Sequence, residues 1–314
     1  MVKGDLIATR DAYGKALARY GAEYPELVVL DADLTGSTKT SLFADQYPER
    51  FIEMGIAEQD MIGTAAGLAA AGKIPFASTF AIFATGRAWD QVRNSVAYPQ
   101  FNVKIAATHA GLTVGEDGAT HQALEDIALM RVIPGMTVVV PADAVEAEQA
   151  VKALIEHVGP AYLRLGRGKV PVVLDVDYQF RLGQAVTLRL GEDLTIMACG
   201  IMVAPALEAA AELAKAGISA RVLNVSTIKP LDKAAVLQAA RETGAIVTAE
   251  EHNVIGGLGS AVAECVVQAH PVPMRRIGVQ DSFGQSGTPD ALLEEYGLTA
   301  AAIVQGAQEV LKLK

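Results

Sequence analysis

Short apolar runs alternate with helical stretches along most of this chain, and this alternation limits its fold more than any other feature. The apolar runs of the first half, which are typical of buried strands, are residues 27–33, 103–108, 136–140 and 161–165. The stretches with helical periodicity around them are residues 11–20, 57–71, 86–97 and 144–158. Continuous apolar strands joined by helices predict a parallel sheet with helices on both faces.

The same alternation returns in the second half of the chain after an interruption. Residues 169–190 have no helical pattern, so we interpret them as an extended linker. Beyond them the strand-like runs are 194–198, 220–225 and 245–249, and the helical stretches are 204–216, 233–243 and 259–268. The sequence therefore predicts two doubly wound α/β domains, at residues 1–168 and 191–314, of which the second is smaller.

The charge and the first residues of the chain argue against several classes of partner. The net charge is −10 and the pI is near 5.0, whereas nucleic acids and anionic membranes attract basic surfaces. The most apolar stretch, residues 61–84, is interrupted by Lys73 and Pro75, and no signal-peptide pattern opens the chain. Cys199 and Cys265 form no CxxC pair. We expect a cytoplasmic protein with buried thiols and without nucleic-acid or membrane partners.

Glu58 departs most sharply from the apolar pattern. It lies in MGIAEQDMIGTAAGLAAAG, where small and apolar residues dominate over 19 positions. A carboxyl group in such surroundings is desolvated, which raises its pKa unless a hydrogen-bond donor compensates. Two interpretations stay open: an acid that stabilises the start of a helix, or a carboxyl group placed for proton exchange.

A polar loop, HAGLTVGEDGATH, follows the apolar run that ends at Thr108. It begins with His109 and ends with His121, and Asp117 lies between them. Ligands bind at the carboxyl ends of strands in open α/β sheets, and glycines allow close backbone approach. The loop is therefore suited to holding a polyol and polarising a carbonyl, although an ordinary surface loop is the alternative. Its histidine spacing fits no zinc site, so we expect no metal ligands here.

Two aromatic and two basic residues have both a structural and a functional interpretation. Phe80 and Phe83, in ASTFAIF directly after a predicted strand, could form a stacking surface or simply pack in the core. Arg10 and Arg167 lie next to strand ends, where arginine can bind a phosphate with two hydrogen bonds or remain solvated. His252, beside a glycine-rich turn, is interpreted as structural.

Taken together in this order, these segments resemble the carboxyl-terminal half of transketolase over nearly the whole chain. GIAEQDMIGTAAGLA resembles the segment that carries that family's essential glutamate. STFAIF resembles its cofactor-stacking segment, and THAGLTVGEDGATHQALED resembles its substrate loop. Weaker matches are LDADLTGS, ATR near the start and LGRG. The resemblance implies a pyrimidine-binding domain followed by a transketolase C-terminal domain, and an enzyme that transfers a glycolaldehyde unit from a ketose phosphate to an aldose phosphate.

The resemblance also assigns roles around thiamine diphosphate. Glu58 would share a proton with N1′ of the aminopyrimidine, and the cofactor would be flanked by Phe83, Phe80, Asp33 and Ile56. His121 would hydrogen-bond oxygens at the reacting centre, and Asp117 would bind the substrate hydroxyl next to the aldehyde. The distal phosphate would be bound by Arg10, Ser37, His109 and Arg167.

The sequence lacks the GDG motif with a downstream asparagine that holds diphosphate and Mg²⁺ in this family. The resemblance therefore implies a partner chain with that motif, which would hold most of the Mg²⁺ site, in an α₂β₂ assembly. The segment RAWDQ contains Arg87. It resembles 1-deoxyxylulose-5-phosphate synthases and β subunits of 2-oxo-acid dehydrogenases more than it resembles typical full-length transketolases. Those two relatives, and a non-catalytic scaffold with the same fold, remain alternatives, and the role of Arg87 stays open.

Overall fold

Residues 5–175 and 177–314 are described by the structure, which is a computed structural model. In these ranges the strands are β1 (Leu6–Ala8), β2 (Leu27–Asp31), β3 (Phe51–Glu53), β4 (Ile74–Phe80), β5 (Lys104–Thr108), β6 (Thr137–Val139), β7 (Ala161–Arg164), β8 (Lys169–Pro171), β9 (Val186–Arg189), β10 (Leu194–Ala198), β11 (Ala220–Asn224), β12 (Thr227–Lys229), β13 (Ile246–Asn253) and β14 (Met274–Val279).

The helices of the same ranges include several of a single turn. They are α1 (Thr9–Tyr20), α2 (Thr35–Thr38), α3 (Ser41–Ala44), α4 (Glu58–Ala70), α5 (Trp89–Gln91), α6 (Asp126–Arg131), α7 (Ala144–Glu156), α8 (Val203–Lys215), α9 (Lys233–Thr243), α10 (Leu258–Ala269), α11 (Pro289–Glu295) and α12 (Ala300–Leu311). None of the helices in the described part of the chain is long and apolar enough to cross a membrane.

The first domain is built on a sheet with the strand order β12-β6-β7-β5-β4-β2-β3, here called sheet one. All its neighbours are parallel except β12, which runs antiparallel to β6. Along β2, Leu27 and Val29 pack with α1 and α7, while Val28 and Leu30 pack with α4 on the other face. Both faces of the sheet are covered, as the continuous apolar strand pattern predicts.

The second domain has its own sheet, with the order β14-β13-β10-β11-β9, here called sheet two. Its strands are parallel except β9, which is antiparallel to β11. Helix α9 begins after Asp232, whose carboxylate accepts the backbone N–H of Ala235. Such a cap satisfies a donor that the first helical turn leaves free. The expected class, two α/β domains with mainly parallel sheets, is confirmed.

The segment interpreted as a linker, residues 169–190, contains two strands that join other elements. β8 pairs antiparallel with β1, and β9 forms the edge of sheet two. In addition, β12 leaves the second domain and completes sheet one next to β6. The second domain therefore supplies an edge strand to sheet one, which hydrophobic periodicity and composition alone did not predict.

Three local expectations were wrong. Residues 86–97 were expected to be one helix, but π-helical turns at Phe83–Arg87 and Val92–Ala97 flank α5, with hydrogen bonds spanning five residues, such as Ala88 N–H to the Phe83 carbonyl. Phe80 lies within β4, not after a strand, because β4 pairs with β5 as far as Phe80, which lies opposite Thr108. The strand expected to end at residue 249 continues as β13 through three buried charged or polar residues.

A buried ion cluster joins the two domains. Arg164, at the end of β7, donates from Nε to Oδ2 of Asp126 at 2.7 Å and from Nη2 to the backbone carbonyl of Glu251 at 2.9 Å. Its Nη1 lies 3.8 Å from the carboxylate of Glu251. Burial alone would raise the pKa of Asp126, but Arg164 and the hydroxyl of Tyr162 hold it below its ordinary value. The charges satisfy one another across the domain boundary.

Replacing Arg164 by leucine should therefore lower the free energy of unfolding by about 3–5 kcal/mol, because two carboxyl groups would remain buried without their cation. The matched control is Arg19→Leu, which removes an exposed ion pair with Glu148 and should shift the midpoint of urea unfolding little. Equal losses of stability in both variants would contradict a central role for the cluster.

Candidate active site

The predicted site residues follow strands whose carboxyl ends meet at one edge of sheet one. Asp33 comes shortly after β2, Phe80 is the last residue of β4, His109 follows β5 directly, and Arg167 comes shortly after β7. These strands are parallel neighbours in the order β7-β5-β4-β2. Their carboxyl edge is the side of an open α/β sheet on which ligands bind.

Glu58 begins α4 and is almost completely buried, with 2% of its surface exposed. It finds the donor that a buried carboxylate requires in Arg87, whose Nη1 lies 2.8 Å from Oε1 and 2.9 Å from Oε2. Arg87 ends the first π-helical turn, and 49% of its side chain is exposed. The ion pair is therefore closed on the side of the carboxylate and open to solvent on the side of the arginine.

Phe80 and Phe83 form the centre of a stack of planar groups. Their rings are nearly parallel at a centroid distance of 5.8 Å, and the imidazole of His109 stacks on Phe80 at 3.8 Å. His121 meets Phe83 edge-on at 5.5 Å, and the guanidinium carbon of Arg87 lies 4.6 Å from the centroid of the same ring. Aromatic and cation–π contacts at these distances are attractive. The stack connects the end of β4 to the loop after β5.

His109 is a neutral imidazole in one tautomer. Its Nε2 lies 3.3 Å from Nη1 of Arg10, and because arginine only donates, Nε2 accepts. The proton therefore resides on Nδ1, which donates to the hydroxyl of Thr108 at 2.8 Å. Burial, with the charges of Arg10 and Arg167 in second place, lowers the pKa of His109 to about 3.

Arg10 and Arg167 bring two guanidinium groups close to each other. Arg10, in the first turn of α1, donates to the backbone carbonyl of Ser37 at 2.9 Å, while its buried Nε has no partner among the described residues. Burial lowers the pKa of Arg10, and the charge of Arg167 adds to this effect. Arg167 donates to the carbonyl of Val114. Paired guanidinium groups with an unsatisfied N–H suit an anion with several oxygens.

Asp117 lies in the loop on the solvent side of Arg167. Its Oδ2 is 3.5 Å from Nη1 of Arg167, and both side chains are partly exposed, so the pair contributes little to stability. His121 closes the loop, and its Nδ1 is 2.9 Å from the hydroxyl of Thr120. Both residues therefore lie where a ligand on the aromatic stack or on the guanidinium groups could reach them.

The second domain supports this loop from behind. The backbone N–H of Thr113 donates to Oε1 of Glu251 at 2.7 Å, and the amide of Gln122 donates to the carbonyl of Gln285 at 2.9 Å. Gly111 has φ +81°, and a Cβ atom there would lie 2.2 Å from the carboxyl carbon of Glu251. Only glycine combines this backbone conformation with so close an approach.

Two predicted cofactor residues lie outside this network. Asp33 is exposed with φ +62°, and its backbone N–H donates to Oε1 of Glu53 at 2.8 Å. Ile56 precedes Glu58 and is 77% exposed. Both side chains are exposed, and their roles toward a cofactor remain predictions.

Two residues that hold the site together had no role assigned from the sequence, which named Arg87 but left its role open. Arg87 lies 29 residues from Glu58, in a π-helical turn that no sequence period indicates. Glu251 was not singled out, although it comes next to His252. The expectation of a structural histidine agrees with the contacts of His252: its Nδ1 donates to the carbonyl of Asn253 at 2.6 Å, and its Nε2 accepts from the backbone of Ala128.

No group of three or more His, Cys, Asp or Glu residues in the described ranges could hold a metal ion. The site thus offers a carboxyl group, an aromatic stack and guanidinium groups, and its donors suit an organic ring and an anion.

Comparisons with known proteins agree with this architecture. The pyrimidine-binding domain of transketolase matches residues 5–172, and the C-terminal domain of transketolase matches residues 183–303. The fold and the matches thus define a two-domain α/β protein whose first domain is of the transketolase pyrimidine-binding type and whose second is of the transketolase C-terminal type. The chain belongs to the transketolase family.

Three of the similar proteins are sections or subunits of transketolases or a split-gene transketolase chain. A putative transketolase C-terminal section of Methanocaldococcus jannaschii is 48% identical, over 96% of each chain. A 6-deoxy-6-sulfo-D-fructose transketolase subunit of Clostridium sp. (strain MSTE9) is 50% identical, over 97% of this chain and 95% of that protein. A solved split-gene transketolase, described as an inactive β4 tetramer, is 58% identical with a TM-score of 0.93, over 98% of this chain and 99% of that one.

The pKa of His109 predicts a pH-dependent contribution to stability. At a pH below 6.5, the ordinary pKa of histidine, His109 is protonated in the unfolded chain but stays neutral in the folded chain. The free energy of unfolding therefore decreases as the pH falls through this range. Between pH 7.5 and pH 5, the difference in unfolding free energy between the wild type and His109→Gln should shrink by roughly 2 kcal/mol. Chemical denaturation at both pH values checks this, and a constant difference would show that the fold does not lower the pKa of His109.

The approach of Gly111 to Glu251 gives a second prediction. Gly111→Ala should lower the free energy of unfolding by about 1–3 kcal/mol more than Gly72→Ala, because Gly72 has a similar φ of +86° but open space around it. Hydrogen exchange should also accelerate at the amides of residues 111–115 in the first variant only. Equal destabilisation would mean that backbone strain alone, and not the contact with Glu251, limits this position.

Proposed function

We propose that this chain is the pyrimidine-binding subunit of a two-chain, thiamine diphosphate-dependent transketolase. It would move a glycolaldehyde unit from a ketose phosphate to an aldose phosphate. The observation that carries the proposal is the arrangement of a buried carboxyl group and an aromatic stack beside paired guanidinium groups, on one strand edge. Family membership supports it, since the transketolase family is thiamine diphosphate dependent.

The aminopyrimidine end of the cofactor fits the residues present. Phe83 and Phe80 offer a flat apolar surface, and Glu58 offers a buried carboxyl group beside it. Thiamine diphosphate supplies, when bound, a carbon that can be deprotonated and can carry a two-carbon fragment. Glu58 would hold a shared proton at N1′ of the aminopyrimidine, a role that needs a carboxyl shielded from water. Asp33 and Ile56 would flank the ring.

The diphosphate end of the cofactor does not fit the residues present. The described residues include no cluster of acidic or imidazole side chains that could hold Mg²⁺, and the GDG motif is absent from the sequence. A diphosphate needs a divalent cation or a dense set of donors. We therefore assign diphosphate and Mg²⁺ mainly to a complementary chain with the GDG motif, in an α₂β₂ assembly.

The paired guanidinium groups would bind the phosphate of the sugar. Arg10 has a buried Nε without a partner among the described residues, and Arg167 lies close by. His109 and Ser37, which the resemblance also assigns to the phosphate, would act on it through Arg10, which they hold by Nε2 of the histidine and the backbone carbonyl of the serine. Two fixed cations balance the two negative charges of a phosphate monoester.

The loop residues would act on the sugar itself. His121, at the edge of Phe83, would donate to or accept from an oxygen at the reacting carbon. Asp117 would leave its solvated pair with Arg167 to accept a hydrogen bond from a sugar hydroxyl. A sugar without that hydroxyl would not make this contact and would leave Asp117 in its pair with Arg167, so the site would favour sugars that carry the hydroxyl.

Reconstitution tests the proposal. This chain, mixed with a chain that carries the GDG motif, thiamine diphosphate and Mg²⁺, should transfer glycolaldehyde from xylulose 5-phosphate to ribose 5-phosphate, with activity that saturates near equal stoichiometry. This chain alone should be folded and inactive. Substantial turnover by this chain alone would overturn the two-chain proposal, and activity with pyruvate in place of the ketose phosphate would assign another reaction.

Glu58→Gln should reduce turnover of the assembled enzyme by roughly 10²–10⁴-fold, because the amide keeps the size of the side chain but cannot share a proton with N1′. The matched control is Asp60→Asn, an exposed acid in the same helical turn, which should retain wild-type activity. Initial rates with saturating sugars and cofactor measure both. Activity of Glu58→Gln within a few-fold of the control would rule out the assignment.

A further inference from the structure

Arg87 touches the two side chains that carry the proposed pyrimidine half-site. Its Nη1 donates to both carboxylate oxygens of Glu58, and its guanidinium group covers the ring of Phe83. An aminopyrimidine bound here would need the same carboxylate and the same aromatic surface. One guanidinium group and one pyrimidine ring cannot occupy both contacts at once, because each requires van der Waals distance to the Phe83 ring.

The backbone of Arg87 is fixed, whereas its side chain is accessible. The carbonyl of Arg87 accepts a hydrogen bond from the side-chain amide of Gln59 at 3.1 Å, and the π-helical turn closes through the N–H of Ala88 and the carbonyl of Phe83. About half of the side chain is exposed to solvent. Rotation about the side-chain torsions can therefore move the guanidinium group into water without unfolding the turn. The cost is the ion pair with the buried carboxylate of Glu58, which needs another hydrogen-bond donor in the open state.

We propose that Arg87 is a gate on the pyrimidine half-site: its side chain closes the site by pairing with Glu58 and covering Phe83, and rotates away when an aminopyrimidine binds. The inference rests on the proposed function, since it assigns the pyrimidine ring to Glu58 and Phe83. A site that is closed for part of the time has an apparent affinity reduced in proportion to its open fraction. Removing the gate should therefore raise affinity in this chain by itself.

The test measures binding and requires no turnover. The probe is 4-amino-5-hydroxymethyl-2-methylpyrimidine, which is neutral and contains the aminopyrimidine of the cofactor without thiazolium or diphosphate. It is titrated into the full chain and followed by ligand-observed NMR and by the fluorescence of Trp89, the single tryptophan, which lies two residues from Arg87. Arg87→Ala should bind the probe at least about tenfold more tightly than the wild type.

Arg93→Ala is the matched control. Arg93 is an exposed arginine in the following π-helical turn, and its Nη1 donates a hydrogen bond to Oδ1 of the neighbouring Asn94. It should bind the probe as the wild type does. The double variant Arg87→Ala/Phe83→Ala should lose the gain, which places the probe on the aromatic stack. A gain of affinity is informative because damage to the fold would lower binding.

Three results would overturn the gate: no tighter binding by Arg87→Ala, an equal gain in Arg93→Ala, or a gain that persists without Phe83. Each of them leaves the transketolase assay of the assembled enzyme unaffected, so the two proposals fail separately. An assembled enzyme without glycolaldehyde transfer, in which Arg87→Ala nevertheless binds the probe more tightly, would retain the gate and remove the proposed reaction.

Discussion

The buried guanidinium of Arg164 is the contact on which the arrangement of the two domains depends. It lies between Asp126 of the first domain and Glu251 of the second, and it binds both the side chain of one and the backbone of the other. Burying an ion cluster is costly unless every charge is paired, so the cluster tolerates only one relative position of the domains. Sheet one and sheet two are fixed to each other at this point.

The consequence reaches the site through Glu251. Burial raises the pKa of this carboxyl group to about 6, and the charge of Arg164 and the N–H of Thr113 oppose the rise. The same side chain therefore pairs with the interdomain cation and fixes the loop that carries His109 and His121. From there the planar stack extends to Phe83, so the second domain supports the site through Glu251. Residues placed by such a connected support keep their geometry when ligands change.

Much of the fold and part of the candidate site could be predicted from the sequence, because the periodicity of apolar residues depends only on residues close together in the chain. The apolar strands, the helix that begins at Glu58 and the loop after β5 all follow from patterns within a few residues. Of the two interpretations of Glu58, the first-turn acid describes its place in the structure, where the buried carboxylate pairs with Arg87, whereas its role in proton exchange stays a prediction. What could not be predicted depends on partners distant in the chain: the pairing of Arg87, the interdomain cluster, and the continuation of β13 through charged residues, of which Glu251 pairs with Arg164 of the first domain.

The strand β12, which the second domain supplies to sheet one, has a consequence for the synthesis of the chain. The last strand that the first domain supplies to sheet one, β7, ends at Arg164, whereas β12 begins at Thr227, about sixty residues later. At a ribosomal rate of roughly 5–20 residues per second, the synthesis of this interval takes on the order of 3–12 s. During that time the edge of β6 that will pair with β12 has no partner strand, although its other edge can pair with β7. An open, apolar strand edge is a template for pairing with other chains. The nascent polypeptide therefore passes through an interval in which its first domain is nearly complete and most open to misassembly, until three residues of the second domain cover it.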